Sequence, residues 1–142
     1  MTSAKKNVKK LQLLQNFATR IVANKRKYDH VTPILRSLNW LPVKDQLYFR
    51  DAVLAFKCMS ELAPAYLSDK LITRSIVSNR ETRNSQMLNI PLFRSATGQK
   101  TFHHRTVNIW NNLNNNVKLC IAVKSLENKL RGALLDKFKR EE

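Results

Sequence analysis

The sequence predicts a mainly α-helical protein, in which several short helices surround a central buried helix and one short extended edge segment is added. Near both ends of the chain, apolar residues recur at intervals of three or four, which places them on one helical face. Residues 43–61 are apolar around most of a helical circumference, as expected of a helix covered on several sides. By contrast, Leu88, Ile90 and Leu92 alternate with other residues, a pattern typical of an extended segment.

The first predicted helix is amphipathic and strongly basic. Its apolar stripe consists of Val8, Leu11, Leu14, Ala18 and Ile21, with Phe17 and Val22 beside them. Polar residues (Gln12, Gln15, Asn16 and Thr19) lie between this stripe and the basic side. One interpretation is that the stripe packs on the core while the charges are solvated. Because residues 1–27 contain no acid, the alternative of a polyanionic partner is favoured.

The central part of the chain is divided by proline and capping signals. Thr32 and Pro33 predict an N-cap and the first position of a short helix that ends at Leu38. Residues 39–42 stop that helix, and the central core helix follows at 43–61. Another short helix is predicted around Tyr66, Leu67, Leu71 and Ile72.

The C-terminal part is predicted to contain two further helices. The first follows a turn at Thr97-Gly98, carries Phe102 and Trp110 on one face, and ends at the asparagines 114–116. Ser125 is the expected N-cap of the last helix. We therefore predict three parts. They are a basic helical part with the central core helix (1–72), a linker (73–85), and a second part with the extended segment and two helices (86–142).

Several classes of function are disfavoured by composition. The two glycines, Gly98 and Gly132, are too few for a phosphate-binding loop or a dinucleotide fingerprint. The ten acids are scattered, and the only two that are neighbours are Glu141 and Glu142, so the sequence has no carboxylate cluster of the kind that a two-metal polymerase or nuclease needs. We expect a non-enzymatic chain with neither metal nor cofactor.

The cysteines and the hydropathy suggest where the protein resides. Cys58 and Cys120 lie among apolar residues and are expected to be buried free thiols, although a single disulfide remains an alternative. The spacing does not suggest zinc. There is no apolar run long enough for a membrane span or a secretory signal. The protein is therefore expected to be intracellular, in the nucleus or cytoplasm, and not secreted.

The basic clusters are the features that most directly suggest a function, because 26 lysines and arginines oppose ten acids and give a net charge of +16. We predict phosphate contacts from ten residues in two patches: Lys5, Lys6, Lys9, Lys10, Lys25, Arg26 and Lys27, and then Arg94, Lys100 and Arg105. Lys25–Lys27 also fits a nuclear import signal. The pair His103-His104 is not expected to bind a metal, and Trp40 and Trp110 are expected in the core rather than stacked on bases.

Several blocks of the sequence resemble one family. The blocks are Leu11-Gln-x-x-Gln15-Asn16-x-Ala18-x-Arg20-Ile21, Tyr28-Asp29-His30-Val31-Thr32-Pro33, Leu38-Asn39-Trp40-Leu41-Pro42-Val43, Leu62-Ala63-Pro64-Ala65-Tyr66-Leu67, Phe93-Arg94-Ser95 with Thr97-Gly98, Phe102, Trp110-Asn111-x-Leu113 and Ser125-Leu126. In order and spacing they resemble the region that follows the polymerase domain in LINE-type (non-LTR) retrotransposon reverse transcriptases. Asn114 departs from the family pattern, which usually has proline there. The Tyr/Phe-x-Asp-Asp polymerase motif and the acidic endonuclease motif are both missing from the sequence.

The resemblance implies an RNA-directed DNA polymerase as the parent protein and gives this chain no catalytic residues. The sequence therefore predicts a non-catalytic C-terminal module that contacts template RNA or target DNA through its basic patches. The alternative is a helical protein-interaction module, whose first helix docks its apolar face on the polymerase thumb or another partner. Binding to a membrane surface is not expected, because the apolar faces are assigned to the core.

Overall fold

The computed structural model describes residues 3–78 and 82–140, and in this part it is mainly helical, which confirms the predicted fold class. We number the helices in chain order. They are α1 (Ser3–Val22), α2 (Val31–Ser37), α3 (Val43–Met59), α4 (Ala65–Ser68), α5 (Arg74–Val77), α6 (Phe102–Asn112), α7 (Asn115–Lys118) and α8 (Val123–Arg140), with a 3-10 helix at Gly98–Lys100.

The chain divides into two compact units. The first comprises Met1–Phe49 and Lys129–Glu142, and the second comprises Arg50–Asn128. Helices α3 and α8 each contribute residues to both units. The predicted central helix exists, and its buried residues fall in its second half: Ala52, Val53, Ala55, Phe56 and Cys58.

The first unit buries apolar residues of α2 and of the end of α8. Within α2, Val31, Ile34 and Leu35 are buried, and Leu130 and Leu134 are buried in α8. One Nη of Arg36 donates to the carbonyl of Phe138 at 3.0 Å, and its guanidinium lies 5.2 Å from the centre of the Phe138 ring. The charged side chain therefore ties α2 to the C-terminal part of α8.

The second unit has its own hydrophobic cluster. Its buried members are Cys58, Leu71, Leu88 and Val107. Partly buried residues pack against them: Leu54, Met59, Ala63, Leu67, Ile90, Phe102 and Trp110. Trp110 thus lies in the apolar cluster, as the sequence predicts.

The extended segment forms one antiparallel bridge, between Thr73 and Leu88. The residues predicted to form a linker contribute to this pairing. The backbone N–H of Arg74 donates to the carbonyl of Met87 at 2.8 Å, and the backbone N–H of Ser75 donates to the carbonyl of Ser85 at 3.0 Å. They also contain the short helix α5. Residues 79–81, inside the predicted linker, lie outside the described part of the chain.

Two predicted helix starts are displaced. Helix α2 begins at Val31 after His30, so Thr32 lies inside its first turn and does not cap it. Helix α8 begins at Val123, which places Ser125 inside the helix. A capping residue is a strong signal that a helix starts nearby, but here the helices begin two and three residues earlier than the predicted caps imply.

Three helices end on a left-handed residue that is not glycine. Asn24, Asn39 and Glu61 have φ angles of 51°, 52° and 57°. At each position, the backbone N–H of this residue and that of the next residue donate to carbonyls in the last turn of the helix. In α3, the N–H of Glu61 donates to the carbonyl of Cys58 (3.4 Å) and that of Leu62 donates to the carbonyl of Lys57 (2.8 Å). This is the Schellman arrangement, which satisfies carbonyls at the end of the helix. Asparagine tolerates the conformation better than glutamate does.

Candidate nucleic-acid interface

The first basic patch begins with four lysines on α1. Lys5, Lys6, Lys9 and Lys10 are all exposed. The four-residue spacing brings Lys5 beside Lys9 and Lys6 beside Lys10. The like charges repel each other along the helix, which contains no acid, so a bound polyanion would relieve the repulsion.

The side of α1 that faces the protein is polar. Gln15 Nε2 donates to the carbonyl of Leu41 at 2.8 Å, and the backbone N–H of Val43 donates to Gln12 Oε1 at 2.9 Å. Thr19 is fully buried. These amides satisfy backbone groups where the chain turns from α2 into α3, including an N–H in the first turn of α3 that has no partner within its own helix. The polar residues therefore form the inward face of α1, rather than lying between its apolar and basic sides.

The apolar stripe of α1 points outward, so the interpretation that it packs on the core is wrong. Leu14, Phe17 and Ile21 keep 65%, 63% and 63% of their surface exposed. Leu11 and Val22 are exposed as well. A contiguous apolar face of this kind is typical of an interaction site. Because the stripe is exposed, it is not part of a core. The reason given above for not expecting binding to a membrane surface therefore does not apply to this face.

The loop after α1 has a fixed backbone. The backbone N–H of Lys25 donates to the carbonyl of Arg20 at 2.8 Å, which completes the Schellman arrangement at Asn24. The backbone N–H of Arg26 donates to Asp29 Oδ2 at 2.8 Å, and Arg20 Nε donates to the carbonyl of Asp29 at 3.1 Å. The carboxylate of Asp29 therefore accepts a backbone hydrogen bond within the loop that it ends.

The loop presents three cations and one aromatic ring to solvent. The side chains of Lys25, Arg26 and Lys27 are exposed, and Tyr28 is 89% exposed. Lys27 Nζ lies 5.6 Å from the centre of the Tyr28 ring. Tyr28 is not among the site residues predicted from the sequence, although an aromatic directly after three basic residues is a pattern that suits single strands.

The second basic patch lies in the second unit, and it differs from the first because one of its three cations already has partners within the protein. Arg94, Lys100 and Arg105 are exposed. Arg105 is already engaged, because Nε lies 3.1 Å from Asp51 Oδ2 and Nη1 donates to the carbonyl of Lys100 at 2.8 Å. Its guanidinium therefore has less capacity for a phosphate than those of residues with a fully solvated head group.

The two adjacent histidines, His103 and His104, are partly buried and contact other residues of the fold. His103 is half-buried, and burial lowers its pKa, with repulsion from Lys70 as the next cause. The ring of His104 meets that of Phe93 edge-on, with 6.0 Å between centres. Within the described residues, no group of three or more histidine, cysteine or acidic side chains is placed to hold a metal.

The two cysteines are both free but differ in accessibility. Cys58 is buried, and burial raises the pKa of its thiol. Cys120 is only half-buried, so the expectation of a buried thiol is wrong at this position. The Cys120 side chain lies beside the short helix α7, where its Sγ is 3.7 Å from the carbonyl of Asn116.

Comparison with known proteins found no match to a protein family model, to a curated protein or to a solved structure. Among the described helices, none is both long enough and apolar enough to cross a membrane.

Proposed function

We propose that the protein is a non-catalytic nucleic-acid-binding module that holds template RNA or target DNA by its phosphates, as part of a retrotransposon reverse transcriptase. The loop at Lys25–Lys27 carries this proposal. Its backbone is fixed by hydrogen bonds to Asp29 and Arg20, and its three cationic side chains stay in solvent. A rigid loop with exposed cations loses little conformational entropy when phosphates bind.

The lysines of α1 are proposed as further phosphate contacts. They are exposed, and the nearest acid in sequence is Asp29, whose carboxylate already accepts the Arg26 N–H. Binding of this type neutralises phosphates and releases condensed counterions. It positions the nucleic acid without recognising its sequence. Arg94 and Lys100 are proposed as the second contact, to which Arg105 contributes chiefly by supporting Lys100 through its carbonyl.

The test is a triple substitution of Lys25, Arg26 and Lys27 by alanine. We expect weaker binding to RNA and DNA of any sequence, and a salt dependence of log affinity that is shallower by about 0.7–0.9 for each phosphate that the variant no longer binds. A matched control replaces Lys44, Arg83 and Lys124 by alanine. These residues are also exposed, and their substitution removes the same amount of charge. If both variants bind with equally reduced affinity, the loop is not a site and only net charge matters.

A second candidate function is supported by the exposed stripe of α1, namely docking on a protein partner. The partner we propose is the polymerase thumb of the parent protein. Replacing Leu14, Phe17 and Ile21 by serine should abolish docking on a purified polymerase domain while leaving the affinity for a short oligonucleotide, which holds a single copy of the protein, unchanged. Apolar docking should persist at high salt, unlike phosphate binding. Retained docking by the variant would contradict this candidate, as would a wild-type stripe that binds anionic lipid vesicles and not the polymerase domain.

A further inference from the structure

Tyr28 has an unusual position for a large aromatic side chain. Tyr28 is 89% exposed, more than Tyr66, the other strongly exposed tyrosine among the described residues, at 67%. Leaving an aromatic ring in water forfeits the free energy that its burial would provide.

The Tyr28 ring is not what fixes the loop. The hydrogen bonds that order the backbone come from Arg20, Arg26 and Asp29. The ring contacts Lys27, whose Nζ lies 5.6 Å from the ring centre. The ring therefore follows three cationic residues in the sequence of a loop whose backbone is fixed by hydrogen bonds, and it stays largely exposed although Lys27 lies over it.

We propose that Tyr28 is a stacking platform for an unpaired base of a single-stranded nucleic acid, whose phosphates are bound by Lys25, Arg26 and Lys27. This inference rests on the proposed function of the loop and adds the class of ligand. Proteins that bind single strands combine a basic groove, which follows the backbone, with aromatic rings on which bases stack. The loop contains both elements within four consecutive residues.

A duplex does not offer the same contact. Its bases are stacked on one another, so their faces are closed to a ring outside the helix, while its phosphates remain available. Tyr28 should therefore contribute to binding of single strands only, and the three cations should contribute to both forms. Because every base has a face, the contact should tolerate any sequence.

The experiment measures affinities of the full chain for a short labelled single-stranded RNA, a single-stranded DNA and a blunt DNA duplex of mixed sequence. Tyr28→Ala should lower affinity for both single strands by about 5- to 150-fold, the usual effect of removing the aromatic partner of one stacked base. Duplex affinity and the salt slope should not change, since no charge is removed. Tyr28→Phe should bind like the wild type, because stacking does not need the hydroxyl.

Tyr66→Ala is the matched control, since it removes an exposed tyrosine from the short helix α4. If Tyr28→Ala binds single strands as Tyr66→Ala does, while the triple substitution of Lys25–Lys27 still weakens binding, stacking is wrong and the phosphate site stands. If neither Tyr28→Ala nor the triple substitution has an effect, the proposed function fails together with the inference. Equal reductions of single-strand and duplex affinity in Tyr28→Ala would also overturn stacking, because they would indicate a damaged loop.

Discussion

The side-chain amide of Asn111 forms two hydrogen bonds with the backbone of Leu88. The N–H of Leu88 donates to Asn111 Oδ1 at 2.9 Å, and Asn111 Nδ2 donates to the carbonyl of Leu88 at 3.0 Å. An amide side chain thus supplies the donor and acceptor that a neighbouring strand would offer. Since Leu88 is fully buried, water cannot replace this partner.

The first prediction follows from this pairing. Asn111→Ala should lower the free energy of unfolding by about 1–3 kcal/mol, because it leaves a buried N–H and a buried carbonyl unsatisfied. Asn112→Ala on the exposed side of the same helix should change it little. Chemical denaturation of the two variants measures the difference, and equal stabilities would contradict the structural role of Asn111.

The two glycines should respond to alanine in opposite directions. A Cβ added at Gly98 would lie 2.7 Å from Cδ1 and 2.8 Å from Cβ of Phe93, whereas one at Gly132 would meet nothing within 4 Å. Gly98→Ala should therefore destabilise the protein by about 1–3 kcal/mol, as overpacking does. Gly132→Ala, inside α8, should stabilise it by about 0.5–1 kcal/mol. Thermal unfolding of both variants tests the pair, and a shift of the same sign in both would be inconsistent with this geometry.

The third prediction concerns the end of α3. Glu61 has a φ of 57°, a conformation that costs a residue with a side chain about 1–2 kcal/mol. Glycine has no such cost but loses more backbone entropy on folding, so Glu61→Gly should raise the free energy of unfolding by a net ~0.5–1 kcal/mol. Asn24→Gly should gain less, because asparagine tolerates this conformation. A melting temperature that falls in Glu61→Gly would contradict the assignment.

The fourth prediction is a pH dependence. Burial and repulsion from Lys70 hold the pKa of His103 below its ordinary value of 6.5. The unfolded chain therefore takes up the proton first as the pH falls. The contribution of His103 to stability is complete above pH 6.5 and is lost as the pH falls toward the folded-state pKa. Unfolding experiments from pH 7.5 downward should show His103→Gln to be less sensitive to acid than the wild type. Identical pH profiles for the two proteins would show that protonation of His103 does not affect stability.

The sequence predicted the longer helices well, because helical periodicity is a local property, but it missed the four-residue helices α5 and α7. It marked α3 as the buried helix and placed Trp110 in the core, and both follow from which residues are apolar. It did not predict which face of α1 turns inward. That choice depends on the unsatisfied backbone groups at Leu41 and Val43, which Gln15 and Gln12 bind from 26 and 31 residues away.

The cations of the candidate site were predictable, and the exposed ring beside them was not. Lysines and arginines are almost always exposed, so the solvent position of Lys25–Lys27 follows from composition. A tyrosine is found in cores and on surfaces alike. Its exposure at position 28 depends on the fixed loop conformation, which the hydrogen bond from Arg26 to Asp29 stabilises.

The outward stripe of α1 also governs how molecules of this protein behave toward one another in solution. At a net charge of +16, electrostatic repulsion opposes contact between the apolar stripes of two copies. A polyanion that neutralises the lysines removes that barrier, and the apolar faces of neighbouring molecules on one strand become free to associate. Occupancy along a long nucleic acid should then rise cooperatively, with dense protein-covered tracts beside bare ones, and near charge balance the complex should separate from solution.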